Sequence, residues 1–255
     1  MPNPIIPARH QPDLPHNKLM VAGLPDPEAI EMDVVIVGGG PSGLATALEL
    51  ARLARQDAEN GGTLGELQIA VLEKASAIGE HNVSGAAVNP RALRELFPGM
   101  PDSDFPFRNP VRGERVAFLT EKSAIRIPTP PSMNNAGFYT ASVSEICRWL
   151  AEKAEAAGVN LLPGFPVASM LVDGDRAIGV RTAAAGLEKS GEPGSRFEPA
   201  TDITARTVVL AEGVRGAITQ AYIRGQGITS ANPQIFALGV KEVWETNVEL
   251  HRLIH

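Results

Sequence analysis

The sequence predicts an α/β protein whose central sheet is parallel, and three contiguous segments lead to that prediction. Residues 33–37 form a short run that is apolar on both faces, as expected of a strand covered on each side. A glycine-rich turn follows at residues 38–43, and apolar residues then recur at three- and four-residue steps through Ala54, which predicts an amphipathic helix. A second buried strand at residues 69–72 completes a right-handed βαβ unit, so the sheet is expected to be Rossmann-like.

Length, composition and charge indicate a globular protein and exclude several function classes. The 255 residues are 44% hydrophobic, enough to bury a sizeable core. The net charge of −6 offers no basic surface to a phosphate backbone, so nucleic acid is not an expected partner. The single cysteine, Cys147, excludes an internal disulfide and any metal site built on two thiolates, and it fits a reducing compartment. No apolar run approaches the roughly 18 residues of a spanning helix and no signal pattern opens the chain, so we expect a cytoplasmic protein.

Outside the βαβ unit, the chain divides into a tail and one domain. Residues 1–31 contain seven prolines and no sustained apolar pattern, which predicts an irregular tail. The folded domain is expected to run from residue 32 to residue 255, with a loop insertion at residues 57–66 inside the βαβ unit.

Residues 105–142 are expected to contribute to a partial second sheet layer. They hold a predicted hairpin of strands 116–119 and 125–127 and a further strand at 138–141. A short one-sided helix is predicted before them, at residues 89–97, where an Asn-Pro pair gives a start and a Pro-Gly pair a stop.

The elements that follow return the chain to the main sheet. Ser142 and Glu145 have capping-box spacing at the start of a helix that Gly158 closes. The predicted strands are residues 159–162, an antiparallel meander at 167–172, 177–182 and 202–210, and a last strand at 236–243. A polar loop is expected at residues 189–195.

The glycine-rich turn has the Gly-x-Gly-x-x-Gly spacing of a dinucleotide-binding loop. Gly38 permits the tight turn, Gly40 lets the backbone approach a pyrophosphate, and Gly43 lets helix and strand pack closely. Pro41 and Ser42 begin the helix, whose unsatisfied N–H groups and partial positive charge favour an anion without a lysine. A glycine-rich turn that binds nothing is the alternative, and the strand before it and the helix after it favour the dinucleotide.

An acidic residue, Glu73, closes the second strand of the βαβ unit. Its carboxylate is placed to accept hydrogen bonds from the ribose hydroxyls of an adenosine, which disfavours a 2′-phosphate and therefore NADP. The insertion at residues 57–66 accounts for a spacing from Gly38 that is longer than usual. A solvated glutamate at a strand end is the alternative. The glycine motif itself does not decide between FAD and NAD.

A series of short stretches along the chain bears on that choice. They are Glu73-Lys74, then Ile78-Gly79-Glu80-His81-Asn82-Val83-Ser84-Gly85-Ala86, then Asn89-Pro90, Phe118 to Lys122, Pro131 to Asn135, Cys147 to Leu150, Val208 to Gly213 and Leu238 to Glu242. In this order and spacing they resemble the electron transfer flavoprotein–ubiquinone oxidoreductases over nearly everything from Met32 to Trp244.

The resemblance implies FAD as the cofactor, with its ADP half on the glycine motif. It implies further cofactor contacts from the loop after the second strand and from the end of the last meander strand: Lys74, Gly79, Ser84, Gly85, Ala86, Glu212 and Gly213. Val167 is expected to meet the adenine through its backbone or to be a plain sheet position. We assign no catalytic side chain and no metal ligand, because in this family the flavin does the chemistry.

In this family, electrons pass from reduced electron transfer flavoprotein to ubiquinone, and the resemblance implies both as partners. It also implies that residues 89–107 dip into one leaflet of a membrane, where Arg91 and Arg94 suit lipid headgroups. The alternative is that this apolar stretch covers the core. The protein is then expected in the cytoplasm, or peripherally on the inner face of a bacterial inner membrane.

Family members are more than twice as long as this chain, so the resemblance implies an N-terminal portion whose fold is incomplete. A later Gly-Asp motif, a glycine pair near the quinone and the cysteines of a [4Fe–4S] cluster fall outside it. With one cysteine, this chain has no ligand set for that cluster. A complementary C-terminal chain is therefore a further expected partner. The alternatives are an inactive, truncated flavin-fold fragment and a FixC-like or geranylgeranyl-reductase-like flavoprotein.

Overall fold

The computed structural model describes residues 14–82, 85–188, 190–232, 235, 239, 240 and 245. Its helices are α1 (His16–Leu19), α2 (Pro41–Glu59), α3 (Arg91–Leu96), α4 (Val143–Ala156) and α5 (Ala217–Gly225). Its first seven strands are β1 (Met20–Ala22), β2 (Ile30–Val37), β3 (Ile69–Glu73), β4 (Ala86–Val88), β5 (Phe107–Pro110), β6 (Val116–Leu119) and β7 (Ala124–Ile127). The other seven are β8 (Tyr139–Ala141), β9 (Asn160–Pro163), β10 (Val167–Asp173), β11 (Arg176–Thr182), β12 (Ala185–Leu187), β13 (Pro193–Glu198) and β14 (Asp202–Leu210).

Seven strands form a mixed central sheet in the order β1-β10-β11-β14-β2-β3-β9. The pairs β14–β2, β2–β3, β3–β9 and β1–β10 are parallel, whereas β10–β11 and β11–β14 are antiparallel. The predicted α/β class is therefore confirmed, and the predicted meander lies inside the same sheet as the parallel strands.

The predicted βαβ unit is β2, α2 and β3, and burial explains why residues 34–37 of β2 are all apolar. Val34 and Ile36 face one hydrophobic cluster, and Val35 and Val37 face the cluster on the other side of the sheet. Helix α2 covers the first of these faces and packs beside α4. Its own apolar stripe is buried there: Gly43, Leu44, Ala47, Leu48 and Ala54. The second half of the strand is thus covered on both faces, as its sequence indicates.

Where a second layer is expected, the structure has two small antiparallel sheets. Strand β8 lies between β4 and β5 in a three-stranded sheet, and β6 and β7 form the predicted hairpin as a separate pair. Strand β4 precedes the range expected for this layer. It is only three residues long and shows no alternation, so no pattern in the sequence predicts it.

Two segments differ from the sequence-based expectations, and most of a third lies outside the described residues. Within the tail expected at residues 1–31, residues 14–31 hold helix α1, the edge strand β1 and the first residues of β2. The polar loop expected at 189–195 is partly the strand β13, which pairs with β12. The strand expected at residues 236–243 lies, apart from residues 239 and 240, outside the described residues.

A buried carboxylate holds the N-terminal segment against the sheet. The Oδ1 atom of Asp202 accepts a hydrogen bond from Arg181 Nε at 2.6 Å, and its Oδ2 atom accepts from Arg181 Nη2 at 2.8 Å. The same Oδ2 atom accepts from the backbone N–H of Asp26 at 2.9 Å. The guanidinium of Arg181 holds the pKa of Asp202 below its ordinary value, although burial opposes this.

We expect Asp202→Asn to lower the free energy of unfolding at pH 7 by roughly 1–3 kcal/mol, because a charged, buried acceptor of three hydrogen bonds is lost. The folded state lowers this pKa, so the contribution is present above the unfolded-state value of about 3.9 and is lost as pH falls through the folded value. The two proteins should therefore differ less in acid. Urea unfolding at pH 7 and at an acidic pH measures the difference in stability between the two proteins. Asp175→Asn, in the exposed β10–β11 turn, is the control.

Candidate functional site

The glycine-rich turn lies at the carboxyl end of β2, between the ends of β14 and β3. Gly38 has a φ angle of +112°, and a Cβ atom at this position would lie 2.5 Å from the carbonyl oxygen of Ala211. A Cβ atom on Gly43 would overlap the carbonyl oxygen of Gly38. Both positions therefore require glycine for steric reasons, and they bring the start of α2 directly against the end of β2.

Gly40 differs from these two glycines because it borders open space. Among the described residues other than its two chain neighbours, none has an atom within 4 Å of the position that its Cβ atom would take. Gly40 is also the N-cap residue of α2, so no side chain caps the helix there, and the first turn contains no acidic residue. Pro41 and Ser42 are exposed. The corner therefore offers helix N-terminal N–H groups and room for an anion.

Glu73 is held beside this turn by two backbone hydrogen bonds. Its Oε2 atom accepts from the N–H of Gly39 at 2.9 Å, and its Oε1 atom accepts from the N–H of Ala75 at 2.8 Å. Its side chain is 13% exposed, and Nδ1 of His81 lies 3.8 Å from Oε1. Because each carboxylate oxygen has two lone pairs, acceptor capacity is left for a ligand hydroxyl. The sequence did not predict that Glu73 would accept a hydrogen bond from Gly39 and so fix the glycine turn.

The loop after β3 packs against both the glycine turn and α4. A Cβ atom on Gly39 would lie 2.6 Å from Cδ1 of Ile78, so this isoleucine, for which the sequence predicted no role at the site, forms one wall of the turn. Gly79 is buried with a φ angle of +90°, and a Cβ atom there would lie 2.7 Å from the carbonyl oxygen of Ser144. Gly79 is thus required for packing on the first turn of α4. Lys74 is exposed.

The remaining candidates of this loop lie where it enters β4. Ser84 lies outside the described residues. Gly85 has a φ angle of +85°, with open space where its Cβ atom would point, and Ala86 is the first residue of β4. The open space thus lies at Gly85, whereas Ala86 pairs with Ala141 of β8.

The end of β14 returns to the glycine turn through Ala211, but the side chain of Glu212 points to another element. Its Oε2 atom accepts hydrogen bonds from the N–H and the hydroxyl of Thr219, both at 2.7 Å, and its Oε1 atom accepts from the N–H of Ile218 at 3.3 Å. Glu212 therefore caps the first turn of α5. Gly213, at φ +82°, is exposed, and Val167 is a partly buried sheet residue at the start of β10.

An apolar groove begins at the same corner. We call it the α2 groove; its volume is about 730 Å³, and it lies between α2, α3 and α4. Pro41, the first residue of α2, lines one end of it, so it opens next to the glycine turn. Its walls include Ala45, Leu50, Ala92, Leu96, Ile146 and Leu150.

Residues 89–107 lie on the core, which favours the second of the two interpretations of this stretch. Leu93 and Phe105 are buried, and neighbouring apolar side chains pack against the same cluster. Arg94 donates to both carboxylate oxygens of Asp102, at 2.9 and 2.6 Å, and Arg91 donates to a glutamate one turn later. Both arginines thus already have carboxylate partners. Across the described residues, no helix combines the length and apolar composition that crossing a bilayer requires.

The described residues contain no cluster of side chains that could bind a metal ion. Among the residues that the structure describes, no three His, Cys, Asp or Glu side chains are grouped so as to hold an ion. Cys147 is buried in the core, and burial, assisted by the charge of Glu73, raises the pKa of its thiol to about 11. The thiol is therefore neutral and unreactive at physiological pH.

Several curated relatives are similar to most of this chain. It is 38% identical over 90% of its length to the mitochondrial electron transfer flavoprotein-ubiquinone oxidoreductase of Dictyostelium discoideum, covering 37% of that protein. It is 38% identical to the probable electron transfer flavoprotein-ubiquinone oxidoreductase of Acinetobacter baylyi, over 88% of this chain and 40% of the relative. The Bos taurus protein of the same name is 38% identical over 85% of this chain and 35% of its own length. The chain thus spans well under half the length of these relatives.

Comparisons with solved structures and family models add less. A geranylgeranyl bacteriochlorophyll reductase-like protein of Thermoplasma acidophilum aligns with 72% of this chain and 40% of its own, at 21% identity and a TM-score of 0.49. The myxobacterial chondrochloren halogenase, an FAD-dependent enzyme, aligns with 75% of this chain and 39% of its own, at 21% identity and a TM-score of 0.47. Because both identities are 21% and both TM-scores are below 0.5, neither structural similarity supports a conclusion about function. No protein-family model matches the chain.

We expect Gly43→Ala to lower the free energy of unfolding by roughly 1–3 kcal/mol, because the added methyl group forces the backbone of α2 away from Gly38. Gly113→Ala is the matched control, since that glycine is exposed, has no positive φ angle and has nothing near its Cβ position. Urea unfolding of both variants measures the difference. Equal midpoints would show that α2 and β2 do not pack this closely.

Proposed function

Since this chain is homologous, over about nine-tenths of its length, to part of the electron transfer flavoprotein–ubiquinone oxidoreductases, we propose that it is the FAD-binding portion of such an oxidoreductase. The observation that carries the proposal is the open corner at Gly40. Gly40 lies between Gly38 and Gly43, two positions where close backbone packing leaves no room for a Cβ atom. It also stands at the N-terminus of a helix that no side chain caps. This arrangement suits a diphosphate held by main-chain N–H groups.

The residues at this corner fit the ADP half of FAD. Under the proposal, the turn from Gly38 to Gly43 approaches the diphosphate, and Ser42 contributes to the helix terminus that faces it. Glu73 accepts hydrogen bonds from the adenosine ribose with the lone pairs that its two backbone bonds leave over. The negative charge of Glu73 excludes a ribose 2′-phosphate, which favours FAD over an NADP-type ligand.

FAD, when bound, supplies the electron-accepting and electron-donating chemistry of such an enzyme. The chain's own residues bind and orient it, and we assign none of them a proton transfer. Gly85 and Ala86 are proposed to border the flavin because Gly85 has open space where a Cβ atom would lie and the side chain of Ala86 is only a methyl group. Gly79 and Glu212 support the site indirectly, through α4 and α5.

Reduced electron transfer flavoprotein and ubiquinone are the proposed partners, following the names of the relatives. The ligands of a [4Fe–4S] cluster would have to come from elsewhere, because this chain contains one cysteine, which is buried. We therefore propose that a further polypeptide segment completes the enzyme. With a quinone as acceptor, the complete enzyme would work at the inner face of a bacterial inner membrane. Because residues 89–107 pack on the core, we propose that another surface makes the membrane contact.

Two further interpretations make different predictions. An inactive flavin-fold fragment would bind adenine nucleotides but would not take up FAD in a form that electron transfer flavoprotein reduces. A geranylgeranyl-reductase-like enzyme would bind FAD and act on an isoprenoid substrate. The names and identities of the curated relatives favour the quinone oxidoreductase.

The first test is the cofactor itself. The purified chain, incubated with FAD and desalted, should keep a visible flavin absorbance, and Gly40→Val should weaken FAD binding at least about tenfold, because the isopropyl group fills the diphosphate corner. The fold should survive, since no protein atom occupies that space. Gly113→Val is the matched control and should keep the flavin. Equal flavin content in both variants would remove the site from the glycine turn.

The second test concerns the ribose. We expect Glu73→Gln to weaken ADP binding roughly tenfold or more, because hydrogen bonds to a charged acceptor are lost. The variant should also discriminate less against 2′,5′-ADP, which carries the extra phosphate. Calorimetric titration measures both, with Glu66→Gln on the exposed loop before β3 as the control. Unchanged selectivity in the Glu73 variant would place the ribose elsewhere.

A further inference from the structure

The α2 groove is an apolar concavity of about 730 Å³, and most of its wall residues lie on the faces of helices. Pro41, Ala45 and Glu49 follow one another at four-residue steps along α2, so the groove runs about 12 Å along that helix. Val143, Ile146 and Leu150 contribute one face of α4. The floor is therefore a trough between packed helices.

The side chains along α2 favour a helical occupant. Ala45 and Thr46 are small, which allows the backbone of another helix to approach closely, and Leu50 gives an apolar floor further along. The acidic groups at the rim already have partners: Glu49 pairs with Arg52 at 2.6 Å, and Glu95 pairs with Arg91 at 2.7 Å. Few polar groups are then left to orient a small polar ligand.

The length of the relatives indicates where such a helix comes from. The match covers 40% of the Acinetobacter baylyi protein and 35–37% of two eukaryotic relatives, so most of each relative lies outside it. Within the described residues, the exposed sides of α2 and α3 along the groove have no covering element. An apolar trough of this size on a folded surface is typical of an interaction site.

From these observations we infer that the α2 groove binds an amphipathic helix from the part of the family's polypeptide that this chain does not match. The inference rests on the proposed function, because it takes its occupant from the same relatives. The apolar face of that helix packs on Ala45, Leu50 and Leu96, and its polar face covers the ion pairs at the rim.

Co-expression tests the inference directly. The full 255-residue chain, carrying an affinity tag, is produced together with the part of the Acinetobacter baylyi relative that lies outside the match. We expect the two to co-purify as a one-to-one complex. Ala45→Arg should lower recovery of the partner at least about tenfold, because a charged side chain then fills the middle of the trough. Leu53→Arg, on an exposed side of the same helix outside the groove, should stay within about twofold of the unchanged chain.

A cysteine-protection experiment gives a second, independent readout. Ala45→Cys is introduced into this chain alone and into a single polypeptide that joins the chain to the same part of the relative. Alkylation of the new thiol should be at least about tenfold slower in the joined protein, because the docked helix covers it. Leu53→Cys should react equally fast in both. Cys147 stays unreacted as long as the domain is folded, since burial raises the pKa of its thiol to about 11.

Each other outcome overturns the inference. Absence of a complex, or a complex that Ala45→Arg leaves intact, removes the groove as the docking site. If alkylation of the Ala45→Cys thiol is slow in the chain alone and becomes faster on dilution, a second copy of the chain occupies the groove. If it becomes faster after lipid extraction, an acyl or isoprenoid chain occupies it. Flavin absorbance is measured in every sample, so loss of FAD with an intact complex counts against the proposed function and leaves the docking site standing.

Discussion

The close backbone contact between the start of α2 and the ends of β2 and β14 is the constraint on which the site depends. Gly43 lets the helix begin directly against the carbonyl oxygen of Gly38, and Gly38 in turn fits against Ala211. Because no Cβ atom fits at either position, the first turn of the helix lies directly against the end of the strand that precedes it. The positive end of the helix dipole then lies at Gly40, where no described residue beyond the chain neighbours fills the space. The diphosphate site proposed here would then depend on main-chain geometry, without a basic side chain.

Two carboxylates next to the site have structural partners of their own, and one of them fixes the glycine turn. Glu73 accepts from the N–H of Gly39 and so fixes the middle of the glycine turn, and Glu212 caps α5 through Thr219 just after β14 ends. A residue that resemblance assigns to the cofactor can therefore have a structural partner of its own. For Glu73 the two roles are compatible, because the second lone pair of each oxygen is left over. For Glu212 the structure supports the capping role, and only its backbone is placed near the turn.

The sequence predicts those parts of the fold that have a period or a steric rule. The βαβ unit from β2 to β3 and the capping-box helix α4 follow from such patterns, and the structure has both. Strands β1 and β4 could not be predicted, because three residues show no alternation and their pairing partners lie far along the chain. The packing of Gly79 on α4 and the capping by Glu212 are tertiary, so the loop sequence alone did not reveal them. Residues 89–107 show the limit of composition: an apolar stretch with arginines suits a membrane or a core, and only the contacts distinguish the two.

The groove and the glycine turn share α2, and this has a consequence for how the site is completed. Pro41 lines the groove and is also the first residue of the helix whose N–H groups face the proposed diphosphate. A helix docked in the groove would remove water from that helix terminus and so strengthen its attraction for an anion. Docking and cofactor binding would then favour each other by the same factor, since linkage between two sites is reciprocal. On this view the chain forms the anion-binding corner by itself, and its affinity for the cofactor depends on the segment that covers α2.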